Sequence, residues 1–583
     1  MKLSAFISAV LFSFVLCAAP APVKILAFAE KDSAVYKTGE TIRFKVWTYT
    51  EQKKSSRDPD PDPAKMQTVT GEKLDYELTG DGNFKKRGTV ITGKDPVIIE
   101  CSLPRPGFVL LKLTRKTPGE KLPLTRWAGA AVEPEKIVSG TSMPADFEAF
   151  WQKRIDEMRA RKPVITVKDV THQLTAREKK LVKLYDVRIA DGIINATGLL
   201  TVPRYPEKDK LPAIITFGGA SWIGARAQVS KAVYCEAIVF HMNIHDTKNH
   251  VPTAAEVEKI RMTPEITRYQ FRDLLTTAEY RPGKVFLRIV RCLDYLKSRP
   301  EWDRKNLIAT GPSFGGCQSI VAAALDKDVT LCFPGGAAMC DHLGYRNNQA
   351  VGWPQLLMQK EYRKPPETRK KAENISAYFD AANMARLIKC PAVFAVGFID
   401  TTCHPTSVYA AYNNVPHKNK SMIHGTRAAH GSSLKAGEPG AFSAAHNPLY
   451  FEAFNGREML KNRHFSYAVE GAPCGWQKSG KAAVSGDPAK KTTCLDLPSG
   501  SSVKQQVTNI RKLSGKAVFA GKIRGSGKAV VRLTGSRKSF TIHAGSGSWQ
   551  DFKTDMELSP DEYQFFEIRS YGDISVKDLS LKY

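Results

Sequence analysis

The run Gly311-Pro312-Ser313-Phe314-Gly315-Gly316 constrains this chain more than any other stretch. An apolar segment, Leu307-Ile308-Ala309-Thr310, precedes it, and a helix-forming segment, Cys317 to Leu325, follows. A serine between strand and helix with glycine two positions to either side reads as a sharp turn. Bulkier neighbours would collide where the chain doubles back, and the turn lifts the hydroxyl clear of the sheet edge. The N–H after the serine then points to where charge develops on an attacked carbonyl oxygen. The pattern predicts a nucleophilic serine and requires the rest of the chain to supply a base, an acid that orients it and a second N–H donor.

Apolar strands recur between helical patterns from about residue 144. They are Pro212 to Phe217, Cys235 to Met242, Leu307 to Thr310, Thr330 to Phe333 and Pro391 to Gly397. Continuous apolar strands spaced by helices predict a parallel sheet covered on both faces. With the serine turn, this gives an α/β class and an α/β-hydrolase catalytic domain over 135–463. Its first helix opens at Ala145-Asp146-Phe147, with Asp146 as the expected cap, and two hairpin-like strands follow around Lys183–Val187 and Ile193–Leu200. Residues 22–134 read as an N-terminal immunoglobulin-like β-sandwich, from short alternating runs such as Thr41 to Trp47 separated by turn signals. Residues 465–583 return to short strands and Gly/Ser turns and read as a C-terminal jelly-roll-like β-sandwich, an architecture found in lectins and carbohydrate-binding modules.

Residues 1–21 have a lysine-bearing start, an apolar run and a small-residue end, the pattern of a signal peptide, and predict a secreted or periplasmic protein. No other stretch is long and apolar enough to span a membrane. The cysteines form no CxxC pair or metal-type cluster, so no metal and no cofactor is expected, and Cys474 with Cys494 is the best disulfide candidate. The formal charge of +28 suits a polyanionic partner. Nucleic acid is disfavoured because no nucleic-acid motif accompanies the charge, which leaves an anionic polysaccharide or a surface charge set by habitat. Between Lys504 and Lys538 there are ten Lys or Arg and no acid, and Lys528 and Arg532 fall on one strand face. That face is either simply solvated or binds an anionic glycan.

In this fold the chain order is serine, acid, histidine. Asp400 directly follows the strand that ends at Ile399 and is the expected acid. His430 lies in the loop after the next strand-like run, Ser421 to Gly425, and is the expected base. His424 competes but lies within that strand, and His404 follows Asp400 too closely to turn back. The N–H of Phe314 supplies one oxyanion donor. The second is expected from the loop Gly218-Gly219-Ala220-Ser221-Trp222, with Ala220 the chosen donor and Gly219 allowing close approach. Trp222 is a sugar platform or a packing residue.

Residues 144–463 resemble the acetyl xylan esterase and cephalosporin C deacetylase family, family 7 of the carbohydrate esterases. The matching stretches are Pro144 to Trp151, Glu301-Trp302-Asp303, Ala324-Leu325-Asp326, Ala377 to Ala385, Gly397 to Pro405 and Ala410 to Asn413. The resemblance places the family's nucleophile on Ser313, its acid on Asp400, its histidine on His430 and its oxyanion loop on Gly219-Ala220. It implies metal-free removal of acetyl groups from sugar hydroxyls. Three positions depart from the family: Asn243-Ile244-His245 stands near where Arg-Gly-Gln is usual, Phe314 replaces a glutamine, and Gly431 replaces a glutamate. The Phe314 side chain is expected to form an apolar wall beside the nucleophile.

The expected protein is a secreted serine carbohydrate esterase acting on an acetylated, anionic polysaccharide or oligosaccharide. The rival readings are another hydrolase on this fold, such as a peptidase or an esterase of a different acyl group, and a glycan-binding protein with a decayed catalytic domain.

Overall fold

The computed structural model describes residues 22–50, 63–116, 122–220, 224–249, 253–263, 266–362 and 365–430, and most of 459–582. The expected signal peptide and Trp222 lie outside the described residues.

The centre is a nine-stranded mixed sheet. Its strands run across in the order Val164–Asp169, Val182–Ala190, Ala196–Pro203, Ile238–Met242, Leu211–Phe217, Trp302–Pro312, Leu331–Gly335, Ala392–Gly397 and Lys420–Gly425. The first three strands pair antiparallel, and Ala196–Pro203 pairs antiparallel with Ile238–Met242. All later neighbours are parallel. The exchange of 211–217 and 238–242 in the order puts Leu211–Phe217 beside the serine strand. This is an α/β-hydrolase-like sheet, and it places the C-terminal ends of its parallel strands on one edge, where sites in open α/β sheets form. The two hairpin-like strands belong to this same sheet. Cys235, expected at the start of a strand, instead ends the helix Val229–Cys235, which Glu236 terminates in the left-handed conformation at φ 46°. The edge strand Val164–Asp169 was not expected: all six of its residues are exposed, so it shows no in–out alternation to read.

Before this unit stand two sheets, antiparallel except where Val35–Tyr36 pairs parallel with Leu124–Val132. One joins Val23–Ala29, Ile42–Thr50, Thr68–Val69 and Val97–Cys101, and the other centres on Lys73–Gly80, Gly107–Arg115 and Leu124–Val132. Residues from both sheets, such as Phe44, Leu78 and Phe108, lie in one apolar cluster that continues into the central unit through Phe398 and Tyr409. The rings of Phe108 and Phe398 meet edge to face at 5.2 Å, and Phe108 also lies 5.7 Å from Tyr409. A Cβ on Gly129 would fall 2.5 Å from the Phe398 carbonyl oxygen, so the two backbones touch there.

The C-terminal residues form an eight-stranded sheet around two long strands, Gly515–Leu533 and Tyr563–Lys582, with a separate apolar cluster. Along the first, Ala517, Phe519, Ile523, Ala529, Val531 and Leu533 are buried, while Lys528 and Arg532 are exposed. Cys474 and Cys494 are separate thiols and not a disulfide. Cys474 packs against the apolar cluster of the central unit, whereas Cys494 lies on the strand Cys494–Leu497 with its Sγ 3.2 Å from Ser485 Oγ.

The helix Phe147–Arg159 starts where expected, but Asp146 does not cap it. Its carboxylate instead accepts a hydrogen bond from the Tyr378 hydroxyl at 2.5 Å.

Candidate active site

Ser313 occupies the turn between Trp302–Pro312 and the helix Phe314–Leu325, with φ 58° and ψ −121°. A non-glycine residue there is strained and persists only when its surroundings fix it. Here the Ser313 N–H donates to Gly335 O at 2.7 Å, and its carbonyl accepts from Gly316 N, Cys317 N and Ala338 N at 2.9, 3.2 and 3.0 Å. The flanking glycines are required by contact. A Cβ on Gly311 or on Gly315 would lie 2.6 or 2.5 Å from the same atom, Phe217 O. The turn is therefore pressed against the end of the neighbouring strand, and no side chain fits between.

The structure brings Ser313, His430 and Asp400 together across three separate loops. His430 Nε2 is 3.1 Å from Ser313 Oγ, and His430 Nδ1 is 2.8 Å from Asp400 Oδ2. The other carboxylate oxygen, Oδ1, accepts from Thr402 N and Cys403 N, both at 2.8 Å. Asp400 is 3% exposed. With both oxygens held, the carboxylate fixes the imidazole with its Nδ1 proton toward the acid and Nε2 free to accept from the serine. The hydrogen bond to Asp400 holds the His430 pKa above the usual histidine value of 6.5, against the opposing effect of burial.

The two other histidines are engaged elsewhere. His424 Nε2 pairs with the Tyr409 hydroxyl at 2.5 Å. His404 sits at the start of the helix Pro405–Asn414, where its Nδ1 accepts from Thr406 N at 3.4 Å. Cys403 Sγ lies 3.9 Å from Ser313 Oγ, and burial followed by the Asp400 charge pushes its pKa far up, so it stays a thiol beside the serine.

Phe314 is the first residue of its helix, so its N–H has no partner within that helix. Its side chain departs from expectation. The ring is fully buried, 5.7 Å from Tyr269 and 5.9 Å from Trp353, and so forms part of the interior and not a wall of the open site. The loop after Leu211–Phe217 passes beside the nucleophile, where a Cβ on Gly219 would lie 3.7 Å from Ser313 Cβ. The buried Gln318 side chain steadies this loop by donating to Gly218 O at 3.3 Å. Ala220 follows Gly219 and is exposed.

The N-terminal sheets supply one group to these surroundings that the sequence did not single out. Asp81, 1% exposed, accepts from Phe108 N at 2.8 Å, Ala350 N at 2.7 Å and Thr406 Oγ1 at 2.5 Å. It ties its own sheet to the loop at Ala350 and to the first turn of the helix Pro405–Asn414, which follows Asp400. Its partners are 27, 269 and 325 residues away, so no local pattern could mark it.

The family model described as Acetyl xylan esterase (AXE1) matches residues 135–435, more than half of the chain. The chain belongs to the acetyl xylan esterase family. It is 30% identical over 308 residues to acetyl esterase Axe7A of Xylanibacter ruminicola, a match covering 50% of this chain and 64% of that protein. The chain thus spans just under two thirds of that relative's length. Among solved structures, the acetyl xylan esterase from Paenibacillus sp. R4 is 21% identical with a TM-score of 0.46, covering 55% of this chain and 98% of that one. Acetyl xylan esterase 1 from Thermoanaerobacterium sp. JW/SL YS485 gives the same values.

Proposed function

We propose that this protein is a serine carbohydrate esterase that removes O-acetyl groups from an anionic polysaccharide or its oligosaccharides outside the cytoplasm. The observation that carries the reading is the unbroken hydrogen-bond chain from Ser313 Oγ through His430 to Asp400, set on a strained turn. In this reading Ser313 Oγ attacks the acetyl carbonyl while His430 Nε2 takes its proton. The oxyanion forms against the N–H groups of Phe314 and Ala220, with Gly219 leaving room for the acyl group. His430 then protonates the departing sugar oxygen. Water, deprotonated by the same nitrogen, attacks the acetyl-serine and releases acetate. Asp400 keeps the imidazole oriented and stabilises its cation in both steps.

The anionic substrate rests on the charge of +28 and on the outward face of the C-terminal sheet. There the Trp549 ring lies between Arg524, 4.6 Å away, and Lys577, 4.5 Å away, while Lys528 stands over Tyr571 at 5.8 Å. Cations beside aromatic faces suit a sugar that stacks and also carries negative charge. We read this part as a jelly-roll-like glycan-binding sandwich and the N-terminal sheets as an immunoglobulin-like sandwich.

The test is acetate release from a panel of acetylated neutral, uronic and sulfated polysaccharides, with Ser313→Ala as control. The expected result is release that needs Ser313, favours the anionic members and weakens with salt. Release that survives in Ser313→Ala, or faster cleavage of longer acyl chains than of acetyl, overturns the reading.

A further inference from the structure

A cavity of about 330 Å³ opens at the N-terminal end of the long helix Arg281–Ser298, and none of Ser313, Asp400 and His430 lines it. It is separated from the serine turn by two rings: Tyr269 forms part of its wall and packs on Phe314.

The polar lining is unbalanced in charge. Among the described residues, Arg281, Lys284 and Arg288 face the cavity, against one acid, Asp246. That acid is already engaged, with Arg188 Nη1 at 2.8 Å and Asn195 Nδ2 at 3.0 Å. Two further acids lie close by: Glu279 accepts from Lys284 at 2.7 Å, and Asp273 is 3.9 Å from Arg281. Arg288 is held in place by donating to the carbonyls of Asn195 and Ile244, both at 2.8 Å. The helix itself starts with no side-chain cap and no acid in its first turn, so its positive end is not neutralised from within.

Three polar atoms of this wall are buried with no hydrogen-bond partner among the described residues: His245 Nε2, the Tyr269 hydroxyl and Arg281 Nε. His245 is 8% and Tyr269 6% exposed. Buried polar groups are ordinarily paired, so three orphans around one space call for a hydrogen-bonding occupant, and Arg281 Nε, which can only donate, needs an acceptor on it. Burial, with Arg288 and Arg281 acting the same way, pushes the His245 pKa down to about 4, so the ring is neutral and needs a hydrogen-bond partner more than a counter-charge. The lining also has an apolar part, Ile193, Ile260, Ile266 and Val285. The size falls at the small end of ligand pockets.

We infer that this cavity binds a small organic oxyanion, a carboxylate or sulfate ester on a body of about monosaccharide size, with the charged group toward Arg281 and His245 and the carbon skeleton against the isoleucines. The site does not depend on the deacetylation reading, because occupancy is measured without turnover.

Titration calorimetry of the full chain with glucuronate, glucose 6-sulfate, glucose and inorganic sulfate tests the proposal, and the first two separate the carboxylate from the sulfate ester. The expected result is binding of one or both charged sugars, none of glucose, and at least tenfold weaker binding in Arg281→Met and Lys284→Met. Both variants should keep the melting temperature and the cleavage of a small neutral acetyl ester. Three results overturn the proposal: no binding of either charged sugar, binding of inorganic sulfate alone, or charged-sugar affinity unchanged in both variants.

Discussion

Thr406 donates a 2.5 Å hydrogen bond to Asp81, joining the N-terminal sheets to the first turn of the helix Pro405–Asn414, which follows Asp400. The same carboxylate holds Ala350 N, so a single buried group joins a loop to the start of that helix. Asp81→Ala leaves three donors unsatisfied, two of them buried, and is expected to cost about 2–5 kcal/mol in denaturant unfolding. Thr406→Val removes only one partner and should cost about 1–2 kcal/mol. A loss of kcat shared by Asp81→Ala and Thr406→Val, at unchanged KM, would trace the effect to the segment that follows Asp400, whereas a loss confined to Asp81→Ala would trace it to the Ala350 loop. Equal activity in both variants and the parent would show that the tie is purely structural.

Ser313→Ala should lower kcat on an acetyl ester by roughly 10⁴–10⁶-fold. Ser313→Gly should be equally inactive yet more stable, because glycine adopts φ 58° without penalty. The gain expected is about 1 kcal/mol, the low end of the strain stored at such positions. An unfolding midpoint for Ser313→Gly below that of Ser313→Ala would show that the turn carries no strain.

The raised pKa of His430 makes activity and stability move in opposite directions with pH. The base must be neutral, so kcat/KM should rise with pH through a midpoint above 6.5. The charged His430–Asp400 pair stabilises the fold fully below the unfolded histidine pKa, and that contribution is lost as pH climbs through the folded value. Asp400→Asn removes the main cause of the shift and leaves burial, which acts the other way. Its residual activity, lower by about 10⁴-fold, should therefore show an acid limb displaced to lower pH. An unmoved limb would mean that another group sets it.

Gly219→Ala and Gly315→Ala should separate room for substrate from room for the fold. The first places its methyl 3.7 Å from Ser313 Cβ, an ordinary contact, so stability should stay within about 0.5 kcal/mol while KM rises. The second drives a methyl to 2.5 Å from Phe217 O and 2.8 Å from Gly218 O, both backbone atoms. Thermal and denaturant unfolding should show a loss of about 1–3 kcal/mol or more, together with lost activity.

The serine turn was legible because its demands are local: glycines, a strand before and a helix after. Asp400 and His430 could be chosen because chain order and strand ends narrow the candidates, and the Tyr409 hydroxyl explains why His424 is committed elsewhere. What stayed hidden was set by distant partners. Asp81 gains its role from residues up to 325 positions away. Asp146 was drawn off the helix end by Tyr378, 232 residues later. Phe314 turned inward because Tyr269 and Trp353 receive it, which no pattern around residue 314 encodes. The edge strand Val164–Asp169 was missed for the opposite reason: without a buried face it leaves no trace in the order of its side chains.

The Phe108 contact has a practical consequence for anyone trimming this protein. A chain begun at residue 135 would carry the whole matched family region yet bare the Phe398 and Tyr409 rings that Phe108 covers. Such a fragment would present a sticky apolar patch next to Asp400 and would be expected to self-associate before it could be assayed. Solubility would then report on the cut and not on the chemistry, so the first sheets belong in any active preparation.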